Sequence, residues 1–245
     1  MNNLSARNLS LKNLFIMLSL GFALLAAPAH AVERKFSISS FEDVRIIGSV
    51  NVFITTDRGV SASAEAANRE TLDRVSLRKS GSQLIISVTP KPGGNNGFSA
   101  DEPVTITLST YDIKTINHSG AGTVSLDRLG GSQSKVRLSG FGVLTINDVD
   151  SDMLDIAMNG GGQIVIAGEA TKARISLLGS SIFDGSQLTV ETLDLTHRGP
   201  ASSHVFVEKE ANISNSGTGK IRIDGKPNCS VRSGGSADII CNPKR

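Results

Sequence analysis

The sequence predicts an all-β chain wound as a right-handed parallel β-helix, a solenoid with coils of about 20 residues. The first observation behind this is a glycine corner that returns through the second half. The corners read Ser119-Gly120-Ala121-Gly122, Ser139-Gly140-Phe141-Gly142, Asn159-Gly160-Gly161-Gly162 and Leu178-Gly179-Ser180-Ser181. They continue as Arg198-Gly199-Pro200-Ala201, Ser216-Gly217-Thr218-Gly219 and Ser233-Gly234-Gly235-Ser236. Their lead glycines, Gly120, Gly140, Gly160, Gly179, Gly199, Gly217 and Gly234, are 17 to 20 residues apart.

The second observation is alternation at period two on each side of the corner. Val124 and Leu126, Leu144 and Ile146, Ile164 and Ile166, and Ile221 and Ile223 follow the glycine; Val136 and Leu138, Ile156 and Met158, Ile175 and Leu177, and Leu193 and Leu195 precede the next one. Each pair marks a strand with one buried face. The third is the polar punctuation between pairs, as in Asp127-Arg128 and Gly130-Gly131-Ser132, which predicts two or three short strands per coil. Stacked coils pair in parallel about 4.8 Å apart, so seven corners predict a body roughly 30–35 Å long. The handedness follows from the general preference of parallel crossovers. A corner needs positive φ or leaves no room for a Cβ, and glycine meets both conditions. The preceding Ser119, Ser139, Asn159, Ser216 and Ser233 are expected to stack into a polar ladder.

Taken from the N-terminus, residues 1–31 read as a secretory signal. Arg7 and Lys12 form the basic region, Phe15 to Ala27 the apolar run, and Ala29-His30-Ala31 the cleavage site. The run is too short to cross a bilayer, which takes about 20 residues, and no other segment resembles a membrane span. Residues 32–245 are then read as one domain, less regular over 32–110 and built of regular coils over 111–245. Of 25 Lys and Arg residues, two lie in the leader, leaving 23 against 23 Asp and Glu. A neutral chain with no Trp and one Tyr lacks the basic footprint and stacking aromatics of a nucleic-acid binder.

Within the N-terminal part, Val44 to Ile46, Val50 to Ile54, Leu84 to Val88 and Val104 to Leu108 are strand-like. Asn68 to Leu77 fits either a short helix or an extended crossing. Pro90 to Pro103, with Gly93-Gly94-Asn95-Asn96-Gly97, reads as a mobile loop. At the other end stand the two cysteines, Cys229 and Cys241. A metal pair has no nearby His to complete it, and no C-x-x-C supports a redox dithiol. A disulfide pinning the final coil is the expectation for an exported chain, worth roughly 2–3 kcal/mol.

The stretch Phe41-Glu42-Asp43-Val44 through Gly48-Ser49-Val50-Asn51-Val52-Phe53-Ile54, then Leu72, then Gly81-Ser82-Gln83-Leu84-Ile85-Ile86, followed by Ser-Gly-x-Gly corners, resembles the head GIN domain family of auto-transporter adhesins. The resemblance spans roughly 36–240 and implies a β-helical exported protein of the bacterial envelope. Its adhesin label is an analogy of fold, which does not by itself imply function. The corners at Leu178-Gly179-Ser180-Ser181 and Arg198-Gly199-Pro200-Ala201 depart from the pattern, which predicts a local irregularity and a place to look for recognition.

Candidate chemistry is sparse. Asp127 and Asp148 fall seven or eight positions after their corner glycines; on adjacent coils they would approach as a carboxylate pair for acid/base work or Ca²⁺. Asp is also an ordinary turn residue. His197 and His204 flank the Arg198-Gly199-Pro200 corner, with Asp184 and Asp194 in nearby coils, a conceivable metal or acid/base site without any zinc spacing. Surface turn histidines are the plainer reading. Ser132-Gln133-Ser134-Lys135 and Ser76-Leu77-Arg78-Lys79 fit S-x-x-K without opening a helix, and no phosphate-loop motif occurs. Outward rows such as Thr123, Ser125, Thr145, Arg137, Asp155, Arg174 and Ser176 offer a mixed, non-aromatic polar face.

The sequence-based expectation is therefore a non-enzymatic, cofactor-free exported module, periplasmic or secreted, binding a glycan or protein partner. The alternatives are a carbohydrate-active enzyme using Asp127 and Asp148 or His197 and His204, and a structural component self-associating through an exposed coil end.

Overall fold

The structure, a computed structural model, describes residues 31–89 and 104–241. The predicted signal up to His30 and the Pro90 to Pro103 loop lie outside the described residues. In chain order the elements are β1 (Val32–Lys35), β2 (Asp43–Ile47), β3 (Asn51–Thr55), β4 (Ser61–Ala66), α1 (Arg69–Asp73), β5 (Val75–Ser80) and β6 (Gln83–Val88). Next come β7 (Thr105–Ser109), β8 (Thr115–Gly120), β9 (Thr123–Gly140), β10 (Val143–Gly160) and β11 (Gln163–Leu178). The chain continues with β12 (Ile182–Arg198), β13 (Ser202–Asn215), β14 (Lys220–Gly225), β15 (Asn228–Ser233) and β16 (Asp238–Cys241). They make a β-solenoid of about 6 turns with coils about 20 residues apart, as predicted.

From β8 to β16 every coil pairs in parallel with the next. From β9 to β13 the predicted short strands are instead single long ones, because ladder hydrogen bonding continues through the turns, where Gly130 and Gly131 pair with Asp150 and Ser151. In the last coils β14, β15 and β16 are short, as predicted. Register stacks like on like. One interior column runs Val44, Ile116, Val136, Ile156, Ile175, Leu195, Ile213, and another Val52, Val124, Leu144, Ile164, Phe183, Ser203, Ile221. All of these are buried. Burying the apolar members of these columns contributes about 1.5–3 kcal/mol each, with Ser203 the polar exception, and it is why period two survives across the whole body.

The glycines form a column of their own at the corner. A Cβ on Gly140 would stand 2.5 Å from the Gly120 carbonyl oxygen, and one on Gly160 equally close to that of Gly140. Gly120, Gly140, Gly160, Gly179 and Gly199 also have positive φ. The column begins earlier than predicted, at Gly48, on which Gly120 stacks. It also ends elsewhere. Gly217 is followed by Gly235, whereas a Cβ on Gly234 would meet nothing within 4 Å. The last coil is one residue longer than the Ser-Gly pattern suggested, so Gly234 takes the place expected for the ladder serine, and Ser233 turns inward to stack on Asn215.

The N-terminal part completes the solenoid by insertion. β2 lies between β6 and β8, and β3 between β7 and β9, so residues 43–55 form the first rung although 83–109 lie outside it. Beyond that rung the pairing turns antiparallel, β5 on β6, β4 on β7 and β1 on β4, which closes the end. Asn68, left undecided by sequence, caps α1 by accepting from the Thr71 N–H at 2.8 Å. The irregularity near residue 180 is real but sits past the corner. Ladder shifts fall between Val165 and Ala167 and between Gly185 and Thr189. There the Phe183 ring occupies the space a Cβ on Gly185 would need.

Candidate binding face

Each residue singled out from sequence has a defined place, and they do not converge. Asp127 turns toward the Thr56 corner. Its carboxylate accepts from the Thr56 N–H (2.9 and 3.0 Å), the Thr56 hydroxyl (3.0 Å) and the Arg128 N–H (2.7 Å). The expected Asp127–Asp148 pair does not form, because the register sets Asp148 opposite Arg128. Arg128 lies 3.6 Å from Asp148, 2.9 Å from Asp150 and 3.9 Å from Asp57. Both aspartates are thus structural: one holds a turn and the other faces a guanidinium.

His197 and His204 also part company, since side chains seven residues apart across a corner end up on opposite sides of the wall. His197 points inside and is fully buried. Its Nδ1 lies 3.0 Å from Asn215 Oδ1 and its Nε2 3.0 Å from the Ala201 carbonyl. Asn215 in turn accepts from the Gly217 N–H and donates to Ser233. This polar column satisfies the backbone of two corners and is closed to any ligand. His204 points outward, with Nε2 2.6 Å from Asp224 Oδ2, and Arg222 reaches the same carboxylate at 3.0 Å. Burial acts to raise the Asp224 carboxyl, but His204 and Arg222 together outweigh it and hold it below the ordinary value. Asp184, beside His204 in the ladder, is held low mainly by Ser186. The serine that adjoins this cluster, Ser186, is engaged with the Asp184 carboxylate, and among the described residues no group of three or more His, Cys, Asp or Glu could hold a metal.

The outward rows named from sequence lead elsewhere. Asp155 and Arg174 continue in register through Asp194 and Asn212 to Ser230; Ala157 and Ser176 continue through Thr196 and Ser214 to Arg232. Over the last three coils these two rows line a shallow depression of about 410 Å³. Asn212 Nδ2 donates to Glu210 at 3.0 Å and to Asp194 at 3.3 Å, and Lys172 approaches Asp194 at 3.5 Å. The depression therefore offers hydroxyls, an amide, a carboxylate and a guanidinium, set along the axis at the coil spacing. The rows named from sequence end at Ser176: Asp194 and Thr196 stand in no motif, and Asn212-Ile213-Ser214 fits only the N-x-S glycosylation pattern, which says nothing of a shared face. Adding 18 to 20 residues to Asp155 and Ser176 reaches them.

Among solved structures, one described as a putative adhesin from Bacteroides fragilis superposes with a TM-score of 0.75 at 17% identity, covering 86% of this chain and 96% of its own. A putative adhesin from Parabacteroides distasonis gives 0.63 at 13%, covering 87% and 98%. A structure from the same species described as a putative lipid binding protein gives 0.59 at 16%, covering 87% and 98%. At these identities the likeness is one of fold. No curated protein matches the chain. Residues 40–227 match the family model described as "Putative auto-transporter adhesin, head GIN domain", and the chain belongs to that family.

Proposed function

We propose that this protein is a non-enzymatic, exported adhesin-like module that binds a surface glycan through the polar face formed by β12, β13 and β15. The observation that carries the reading is the pair of rows Asp194–Asn212–Ser230 and Thr196–Ser214–Arg232 lining one depression. A hydroxyl-rich polymer is met by donors and acceptors in fixed repetition, which a solenoid supplies without any conformational rearrangement. Export is supported by the basic and apolar N-terminal segment and by the Cys229–Cys241 disulfide, a bond that persists in oxidising compartments. The enzymatic alternative lacks support in the geometry, since the carboxylates it would need are separated and engaged.

The test is co-sedimentation with a panel of envelope and matrix polysaccharides, with released reducing and unsaturated ends assayed in the same tubes. Retention of one polymer without release, weakened about tenfold by Asn212→Ala, is the expected result. Release of new ends would overturn the non-enzymatic reading, and a panel without retention would redirect the search to protein partners.

A further inference from the structure

The two ends of the solenoid are built differently. At the N-terminal end the outermost strands are antiparallel and charged: β1 carries Glu33, Arg34 and Lys35, and β5 carries Arg78 and Lys79. Such residues keep a sheet edge from recruiting further strands. At the C-terminal end β15 pairs only with β13 and β16 only with β14 among the described residues, so both present a free backbone edge. Their interior positions are incompletely covered. Val231 continues the column of Leu195 and Ile213 yet is 45% exposed. Ile239, below Ile221, is only partly buried. Cys229 and Cys241 continue the buried columns of Ala211 and Ile223, and their disulfide crosses the end of the core.

Charge is placed symmetrically on this edge. Arg232 lies three residues before the ladder glycine Gly235, and Asp238 three residues after it. They are the only charged residues of β15 and β16 and have opposite signs. We propose that two copies of the protein pair end to end through this rung, with β15 of one protomer antiparallel to β16 of its partner. The two-fold axis runs along the strand direction at the end of the core. It sets Arg232 opposite Asp238 of the partner subunit, and the same contact recurs on the other side. Residues equidistant from Gly235 then face each other, so Val231 meets Ile239 of the partner subunit with both side chains toward the core. Pleat, charge and apolar cover agree in that one register. The other two-fold, β15 on β15, would leave Arg232 facing serine and form no ion pair. A closed two-fold also uses up both free edges, which a head-to-tail stack against the charged N-terminal strands would not.

The experiment is sedimentation equilibrium on protein purified from cells expressing the full chain, without any polysaccharide, so it stands apart from the test of the binding face. The wild type is expected at twice the monomer mass. Arg232→Glu and Asp238→Arg each create two like-charge contacts and should weaken association on the order of a hundredfold. Mixing those two variants should restore a dimer, because every contact is again of opposite sign, and so should the double variant. Restoration on mixing also shows that both single variants fold. A wild type that stays monomeric, a dimer indifferent to the reversals, or slow amide exchange in β15 and β16 of a monomer (another segment or partner covering the end) would each overturn the proposal.

Discussion

Replacing Gly160 by alanine asks how much the corner column contributes. The new Cβ would stand 2.5 Å from the Gly140 carbonyl oxygen, and the backbone there has φ +121°, which L side chains rarely adopt. Backbone strain of this kind costs about 1–3 kcal/mol. The overlap has no flexible neighbour to absorb it, because the atom met is main chain, and forced overpacking adds about 1–3 kcal/mol. Gly160→Ala should therefore destabilise by roughly 2–6 kcal/mol, a large share of the roughly 5–15 kcal/mol typical of a folded domain. Gly234→Ala is the matched control: it is a corner glycine by sequence, with nothing within 4 Å of a Cβ, and should stay within about 0.5 kcal/mol of wild type. Urea unfolding of both variants reads the difference. Equal stability of Gly160→Ala and wild type would refute the idea that backbone proximity between coils is what demands glycine.

Three further outcomes follow from individual side chains. His118 is buried in the column between Ile46 and Leu138 with neither ring nitrogen in hydrogen-bond geometry. Burial lowers its pKa, opposed by the Ile46 backbone. The unfolded chain thus takes up the proton first, so the stability tied to the neutral ring is complete above about 6.5 and lost as pH falls through it. His118→Leu should flatten the pH dependence of unfolding between pH 7 and 5. Reducing Cys229–Cys241, which closes a separation of 12 residues, should cost about 3 kcal/mol. That loss should appear as faster amide exchange in β15 and β16 with β10 and β11 unchanged. Asp127→Ala removes the acceptor for the Thr56 corner and should lower stability by about 2 kcal/mol in thermal unfolding while leaving any polysaccharide retention intact.

Much of this architecture was legible because a solenoid repeats its physics. Leu144 and Ile146 predict where Ile164 and Ile166 must lie, and the interval between Gly140 and Gly160 is the length of a coil. What the repeat could not convey was anything that happens once. Gly48 belongs to the corner column but comes 72 residues before its neighbour Gly120, with a cap, a helix and a hairpin between. Gly235 displaced Gly234 because the terminal coil gained one residue, and adjacent glycines look alike in a motif. His197 and His204 flank the same corner, yet a strand's two-residue alternation, interrupted by the turn, sends one inward and the other out. Asp127 and Asp148 missed each other for the same reason, a single step of register. The proposed binding face does not stand out in the sequence because Ser, Thr and Asn in rows are also what any solvated strand carries. Only stacking in space gathers them along one depression.

Retention of a bound polysaccharide by two tryptophan variants tests the central claim most directly. Ser214→Trp blocks the depression lined by β12, β13 and β15, and Ser125→Trp places the same bulk on the outward side of another part of the coil, between Phe53 and Thr145. The account predicts that Ser214→Trp abolishes retention and that Ser125→Trp binds as wild type does. Undiminished binding by Ser214→Trp would contradict it.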